Sequence, residues 1–214
     1  MLIFQNRKDA GKQLAQALKL YTNELETVVI ALPRGGVIVG YEVASELGLP
    51  LDIVCPRKIG APFNPELAIG AITETGEGIL SEDLIVSFSI SADFLKKTMQ
   101  KEKEKAQWRL EHYRQHRPAR VLKDKRIILI DDGIATGSTM KAAIKTIRAE
   151  RARELILAVP VAPPDTLRAI QPLVDHLICL SSPSNFYSVG QFYNDFDQTT
   201  DEEVIDLLSQ KANS

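Results

Sequence analysis

Cysteine is nearly missing: Cys55 and Cys179 stand far apart, each inside an apolar run, and no C-x-x-C spacing occurs. A disulfide framework and a thiolate metal site are therefore excluded. Both cysteines read as small buried hydrophobes of a reducing compartment, which places the protein in the cytoplasm. Long hydrophobic runs are also missing. None approaches the roughly 18 residues that cross a bilayer, and no signal peptide is read at the start. Charge of one sign does not dominate either: 26 Lys and Arg against 28 Asp and Glu leave a net charge of −2. No general affinity for nucleic acid follows from that balance. There are three histidines. Of these, His112 and His116 share i, i+4 spacing, but no zinc site is read from them. Internal repeats and low-complexity stretches are absent.

What is present is a regular alternation of apolar runs and helical periodicities. With 214 residues, 44% of them hydrophobic, the chain can bury the core of a single enzyme-sized domain, with room for a smaller subdomain. Ala10, Leu14, Ala17 and Leu18 mark one face of a helix over 6–20, with Asn6 as its cap. Runs at 27–32, 51–55, 127–130, 155–159 and 174–180 read as strands. Helices are expected over 37–47, from near 139, and over 163–170. Strands alternating with helices predict an α/β fold with a parallel sheet flanked by helices.

The segment from Arg126 to Thr139 carries the densest information. Ile127–Ile130 suit a strand buried on both faces. Asp131 and Asp132 follow, then a small-residue turn, Gly133 to Gly137, that opens into a helix at Ser138 or Thr139, either of which is placed to cap it. The first turn of a helix has unpaired N–H groups and partial positive charge, so it welcomes an anion. Gly133 and Gly137 allow close approach of the main chain, and Thr136, Ser138 and Thr139 add hydroxyl donors. Two carboxylates beside a phosphate would repel it, so they must meet sugar hydroxyls or a hydrated Mg²⁺. The pattern therefore fits a sugar phosphate with a metal.

This stretch resembles the signature of type I phosphoribosyltransferases, in particular poorly characterised members without an assigned acceptor. The resemblance implies transfer of a 5-phosphoribosyl group from phosphoribosyl pyrophosphate to a nitrogenous base, with Mg²⁺ and release of pyrophosphate. It implies that Asp131 and Asp132 face the ribose and hold the metal mostly through water and substrate. Ala135, Thr136, Gly137, Ser138 and Thr139 would hold the 5-phosphate. Both acidic positions are Asp, as in adenine and orotate enzymes. A homodimer is expected.

Two further turns match in order. Pro33-Arg34-Gly35-Gly36 lies between a strand and a helix, where Arg34 offers a fork for phosphate oxygens and the family's pyrophosphate loop falls. Arg57-Lys58 ends the second strand, where two cations would stabilise the leaving pyrophosphate. The glycines Gly35, Gly36 and Gly40 also admit a Rossmann oxidoreductase, but their spacing is not G-x-G-x-x-G.

Residues 59–120 are expected to form a lid or hood inserted into the single domain, 1–214. From Ile59 to Glu77 there is no Lys, Arg or His, which disfavours orotate as acceptor. A hairpin turn is placed near Thr75-Gly76, and Glu66 or Glu74 is a weaker candidate for orienting an acceptor nitrogen. A long helix is expected over 91–120. Residues 91–126 hold twelve Lys or Arg against five Asp or Glu. That excess reads as a solvated helix packing through Phe94, Leu95, Met99, Trp108 and Leu110, or alternatively as a nucleic-acid surface on a regulator that senses phosphoribosyl pyrophosphate. Aromatics between Phe186 and Phe196 are expected to pack in the core.

Overall fold

A computed structural model describes residues 2–212. The elements run α1 (Arg7–Ala17), β1 (Thr27–Ala31), α2 (Gly35–Glu46), β2 (Leu51–Ile53), β3 (Arg57–Ala61), β4 (Asn64–Ile72), β5 (Gly78–Leu80), α3 (Glu82–Ser87), α4 (Ala92–Arg114), β6 (Arg126–Ile130), α5 (Ser138–Ala149), β7 (Glu154–Val161), α6 (Pro164–Ile170), β8 (His176–Ser181) and α7 (Asp201–Ala212). Five strands form a parallel sheet in the order β2-β1-β6-β7-β8, and β3-β4-β5 form a separate antiparallel sheet.

The apolar runs explain the central sheet. Along β6, Ile128 and Ile130 join a core cluster with α1, α2 and α7, while Ile127 and Leu129 join the cluster with α5 and α6. Strand alternation thus needs an apolar residue at every position, because both faces are covered. All four side chains are fully buried. Each contributes about 1.5–3 kcal/mol of transfer free energy.

The order of the strands places the functional edge. From β1 the chain crosses to β2 on one side, and from β6 it crosses to β7 on the other, so the order of the strands reverses between β1 and β6. In an open α/β sheet that reversal leaves a crevice at the C-terminal strand ends. Ala31 pairs with Ile130 there, bringing the loops after β1 and β6 side by side.

Residues 59–77 form most of the antiparallel sheet, with the hairpin expected there between β4 and β5. The turn expected at Thr75-Gly76 is present, with Gly76 at φ +92°. It is anchored: Thr73 and Thr146 hydroxyls lie 2.6 Å apart, and Lys145 Nζ of α5 donates to the Gly78 carbonyl at 3.0 Å. The other turn, between β3 and β4, projects Phe63 into solvent, where it touches Phe88 with ring centroids 4.8 Å apart.

Helix α4 is shorter than expected. It stops at Arg114 because Gln115 takes a left-handed conformation, φ 46° and ψ 54°. Phe94, Leu95 and Met99 pack against the small sheet and Leu110 against the main core, as expected. Trp108 does not: it is 60% exposed and stacks on His112, while the inward face of α4 is Glu102, Ala106 and Tyr113. In the 186–196 segment Phe192 and Tyr193 are buried, whereas Tyr187 is exposed.

Candidate active site

Asp131 and Asp132 leave β6 at the reversal point, directly against the turn after β1. An ideal Cβ on Gly36 would lie 2.8 Å from Asp131 Oδ1, and one on Gly35 would lie 2.0 Å from Asp132 Oδ2. Any larger residue there would displace a carboxylate. The two glycines therefore give up their side-chain space to the aspartates, a tighter junction than two ligand-facing turns would need.

The pair is internally ordered. Asp131 Oδ1 accepts the Asp132 main-chain N–H at 2.8 Å. Asp132 Oδ2 accepts Arg7 Nε at 2.7 Å, in an ion pair whose side chains are 10% and 15% exposed. Arg7 Nη1 donates to the Asp197 carbonyl at 2.7 Å, and its guanidinium lies over the Phe196 ring, 3.8 Å from the centroid. Tyr193 Oη donates to the Asp132 carbonyl at 2.5 Å. Burial, then the charge of Asp132, pushes the Asp131 carboxyl well above the usual carboxylate range. Burial also raises Asp132, against the pull of the Arg7 charge and its hydrogen bond. Burial and the Asp132 charge raise the Tyr193 phenol, so it stays a donor.

Arg7 and Tyr193 were not legible as site residues. Their partners lie 125 and 61 positions away. One local signal did exist for Arg7: it shares the buried stripe of α1 with Ala10, Gly11 and Leu14, and a charge on an apolar face demands a partner.

The turn from Gly133 to Gly137 is rigidly built. Ile134 N–H donates to the Val161 carbonyl at 2.9 Å, and Thr166 Oγ1 donates to the Ala135 carbonyl at 2.7 Å. Gly137, at φ +78°, is the residue that caps α5, and no side chain caps the helix. The expected cap at Ser138 or Thr139 is thus corrected: both lie inside the first turn, leaving their N–H groups and hydroxyls for an anion. Ala135 and Thr136 are exposed beside them.

The flanking cations are held differently. Arg34 pairs with Asp201 of α7 at 3.5 Å. Asp201 also accepts the Tyr113 hydroxyl at 2.6 Å, and that bond holds its carboxyl below the usual range. Arg57 Nη2 and Nε each lie 3.0 Å from Glu102 Oε2 on α4. Arg57 and Lys58 both line one cavity beside the β3–β4 turn, with Gly60, Pro62 and Glu102. Glu74 accepts the Cys55 N–H at 3.0 Å, and burial raises its carboxyl. That role in the main-chain framework removes it as an acceptor-orienting group. The side chain of Glu66 lies outside the described residues.

A family model described as "Phosphoribosyl transferase domain" matches residues 2–197. Two Mycobacterium tuberculosis proteins, from strains CDC 1551 and H37Rv and each bearing the name "Putative phosphoribosyl transferase", are 41% identical over 210 residues, 98% of this chain. The chain spans about half the length of these curated relatives, 47% of each. The crystal structure of TT1426 from Thermus thermophilus is similar at 39% identity and a TM-score of 0.82, covering 98% of this chain and 99% of that one. A hypothetical protein from Neisseria gonorrhoeae with bound ppGpp shares the fold alone, at 12% identity and a TM-score of 0.50, covering 98% of this chain and 96% of that one.

Proposed function

The chain belongs to the phosphoribosyl transferase family, and from that premise we propose that it moves a 5-phosphoribosyl group from phosphoribosyl pyrophosphate to a nitrogenous base. The observation that carries this reading is the junction at the sheet reversal. Two half-buried carboxylates meet the Gly35-Gly36 backbone, and the turn that follows them in sequence opens into a helix at Ser138 that no side chain caps. Ribose hydroxyls fit the first and a 5-phosphate the second.

The acceptor nitrogen forms a bond to ribose C1 while the bond from C1 to the pyrophosphate oxygen breaks. Positive charge develops on the sugar and negative charge on the leaving group. Groups fixed in advance toward those charges lower the barrier without a covalent nucleophile. Asp131, whose Oδ1 accepts the Asp132 N–H, and Asp132, steadied by Arg7, are assigned to the ribose hydroxyls. Arg34, the Gly35-Gly36 backbone, Arg57 and Lys58 are assigned to pyrophosphate. Arg57 reaches it by sharing or leaving Glu102. Thr136, Ser138 and Thr139, with the Ala135 and Gly137 backbone, are assigned to the 5-phosphate. The β3–β4 turn around Phe63 is the free edge suited to exclude water.

The hard oxygens of Asp131 and Asp132 fit Mg²⁺. Among the described residues no group of three or more His, Cys, Asp or Glu side chains forms a cage, which favours holding the ion through substrate and water. When bound, Mg²⁺ would neutralise pyrophosphate oxygens.

The dinucleotide reading of Gly35-Gly36 is weakened by the spacing of Gly35, Gly36 and Gly40, which is not G-x-G-x-x-G. Pyrophosphate release, measured with adenine, hypoxanthine, guanine, xanthine, uracil and orotate, tests the proposal. Release with at least one base supports it. Tight binding of phosphoribosyl pyrophosphate without turnover on any base would turn the reading to a sensor, and absence of binding would end both.

A further inference from the structure

Apart from the junction of Asp131 with Gly36, the structure contains a second concave, charged surface. Edge strand β2, the end of α4 with residues 115–120, and the C-terminal half of α7 enclose a cavity of about 500 Å³, lined by Leu51, Asp52, Arg114, Arg117, Arg120 and Leu208. That volume lies within the range of small-molecule sites.

Its charges do not balance. Asp52 is buried and already saturated: it accepts Arg114 Nε at 3.0 Å and Nη2 at 2.9 Å, and the Arg120 main-chain N–H at 3.0 Å. Arg117 donates only to main-chain carbonyls, those of Arg114, Tyr113 and Leu208, and feels the Asp52 charge only at a distance. Arg120 Nε reaches the Leu51 carbonyl at a long 3.4 Å. Lys211, one turn beyond Leu208, reaches the Ala44 carbonyl at 3.3 Å. Among the described residues none of Arg117, Arg120 and Lys211 forms an ion pair. Glu74 and Glu150 line a smaller neighbouring cavity that shares Arg114 and Arg120, and pair with neither. Burial and then the Arg120 charge lower the Lys211 ammonium, a sign of crowding between like charges. Such crowding is relieved by a bound anion.

We propose that this cavity is a second binding site, for a small phosphate-bearing molecule. Arg117, Arg120 and Lys211 would take the phosphate, and Leu51, Pro118 and Leu208 would take an apolar portion. Guanidinium forks match phosphate oxygens in pairs. The concave shape and apolar floor suit a compact ligand better than a nucleic-acid backbone.

Calorimetric titration of the full chain with inorganic pyrophosphate, at fixed ionic strength, tests the site. Wild type should show two classes of binding. Arg120→Gln with Lys211→Gln should weaken one class at least tenfold and leave both the other class and pyrophosphate release unchanged. Arg34→Gln with Arg57→Gln should show the reverse. Two classes that both survive the Arg120 and Lys211 changes would overturn the proposal, as would a single class lost only with Arg34 and Arg57. A single-stranded RNA that binds this face while pyrophosphate does not would overturn it too. Crystals of wild type soaked in tungstate give a readout free of any folding defect: anomalous density at Arg120 supports the site, and density confined to the Ser138 turn refutes it.

Discussion

Arg7 sets how much charge the aspartate pair presents. It is a nearly buried cation from the first helix, and its removal would leave Asp132 without a counter-charge. Arg7→Ala is expected to cost about 3 kcal/mol in urea unfolding, the scale for breaking a buried pair from one side. Asp132→Asn should instead leave the fold in place and lower turnover by about 10²-fold, as loss of one preorganised polar group does. Arg57→Ala is expected to act similarly on turnover; wild-type rates in both variants would remove these assignments. The pH dependence has a definite sign. Asp131 and Asp132 both titrate above their ordinary 3.8 in the folded chain. A raised acid binds its proton more tightly when folded, so its contribution to stability is full below 3.8 and is lost as pH rises through the folded value. Holding ribose hydroxyls and metal needs the ionised form. The acid limb of kcat/KM should therefore lie above the ordinary carboxylate range, and Arg7→Ala should move it higher still. A limb at the ordinary carboxylate value would contradict the burial argument.

Between elements, the decisive contacts join loops that are remote in sequence. Gly36→Ala would place a methyl 2.8 Å from Asp131 Oδ1 and 2.9 Å from its Cα, so the β6 loop must shift. Turnover should fall while circular dichroism stays unchanged; full activity would show that the junction tolerates movement. Tyr113→Phe removes the hydroxyl that ties α4 to Asp201 of α7. It should cost about 1 kcal/mol, the net worth of one hydrogen bond, read from the unfolding midpoint. The elements themselves were largely legible. Fully apolar strands such as 127–130 announce a sheet covered on both faces, and Asn6 caps α1 as its position suggests. The errors share a cause, since each depended on a backbone angle or a distant neighbour. Gly137 displaced the expected cap by adopting positive φ, Gln115 ended α4 the same way, and Trp108 lost its place in the core to Ala106 and Tyr113. Of the site, the carboxylates and the phosphate turn stood in one continuous segment and could be read. Arg7, Tyr193 and the engagement of Arg57 by Glu102 required the folded chain.

Across the whole molecule, the first and last segments of the domain close on each other behind the site. Phe4 N–H donates to the Phe192 carbonyl at 2.8 Å, Asn194 N–H to the Phe4 carbonyl at 2.9 Å, and Asp195 N–H to the Gln5 carbonyl at 3.0 Å. Phe4 and Phe192 are fully buried. Removing residues 186–214 should therefore abolish binding of phosphoribosyl pyrophosphate even where the parallel sheet persists, as measured by titration beside circular dichroism; retained affinity would show the closure to be incidental. The closure has a consequence for how the site is made. Arg7 meets the Asp197 carbonyl across 190 positions, so during synthesis the carboxylates at 131 and 132 emerge from the ribosome long before the segment that fixes their cation. A nascent chain would hold an acidic pair still open to water and without its anchored cation, and ribose recognition would begin only when residues 192–197 have been translated and laid against the first helix.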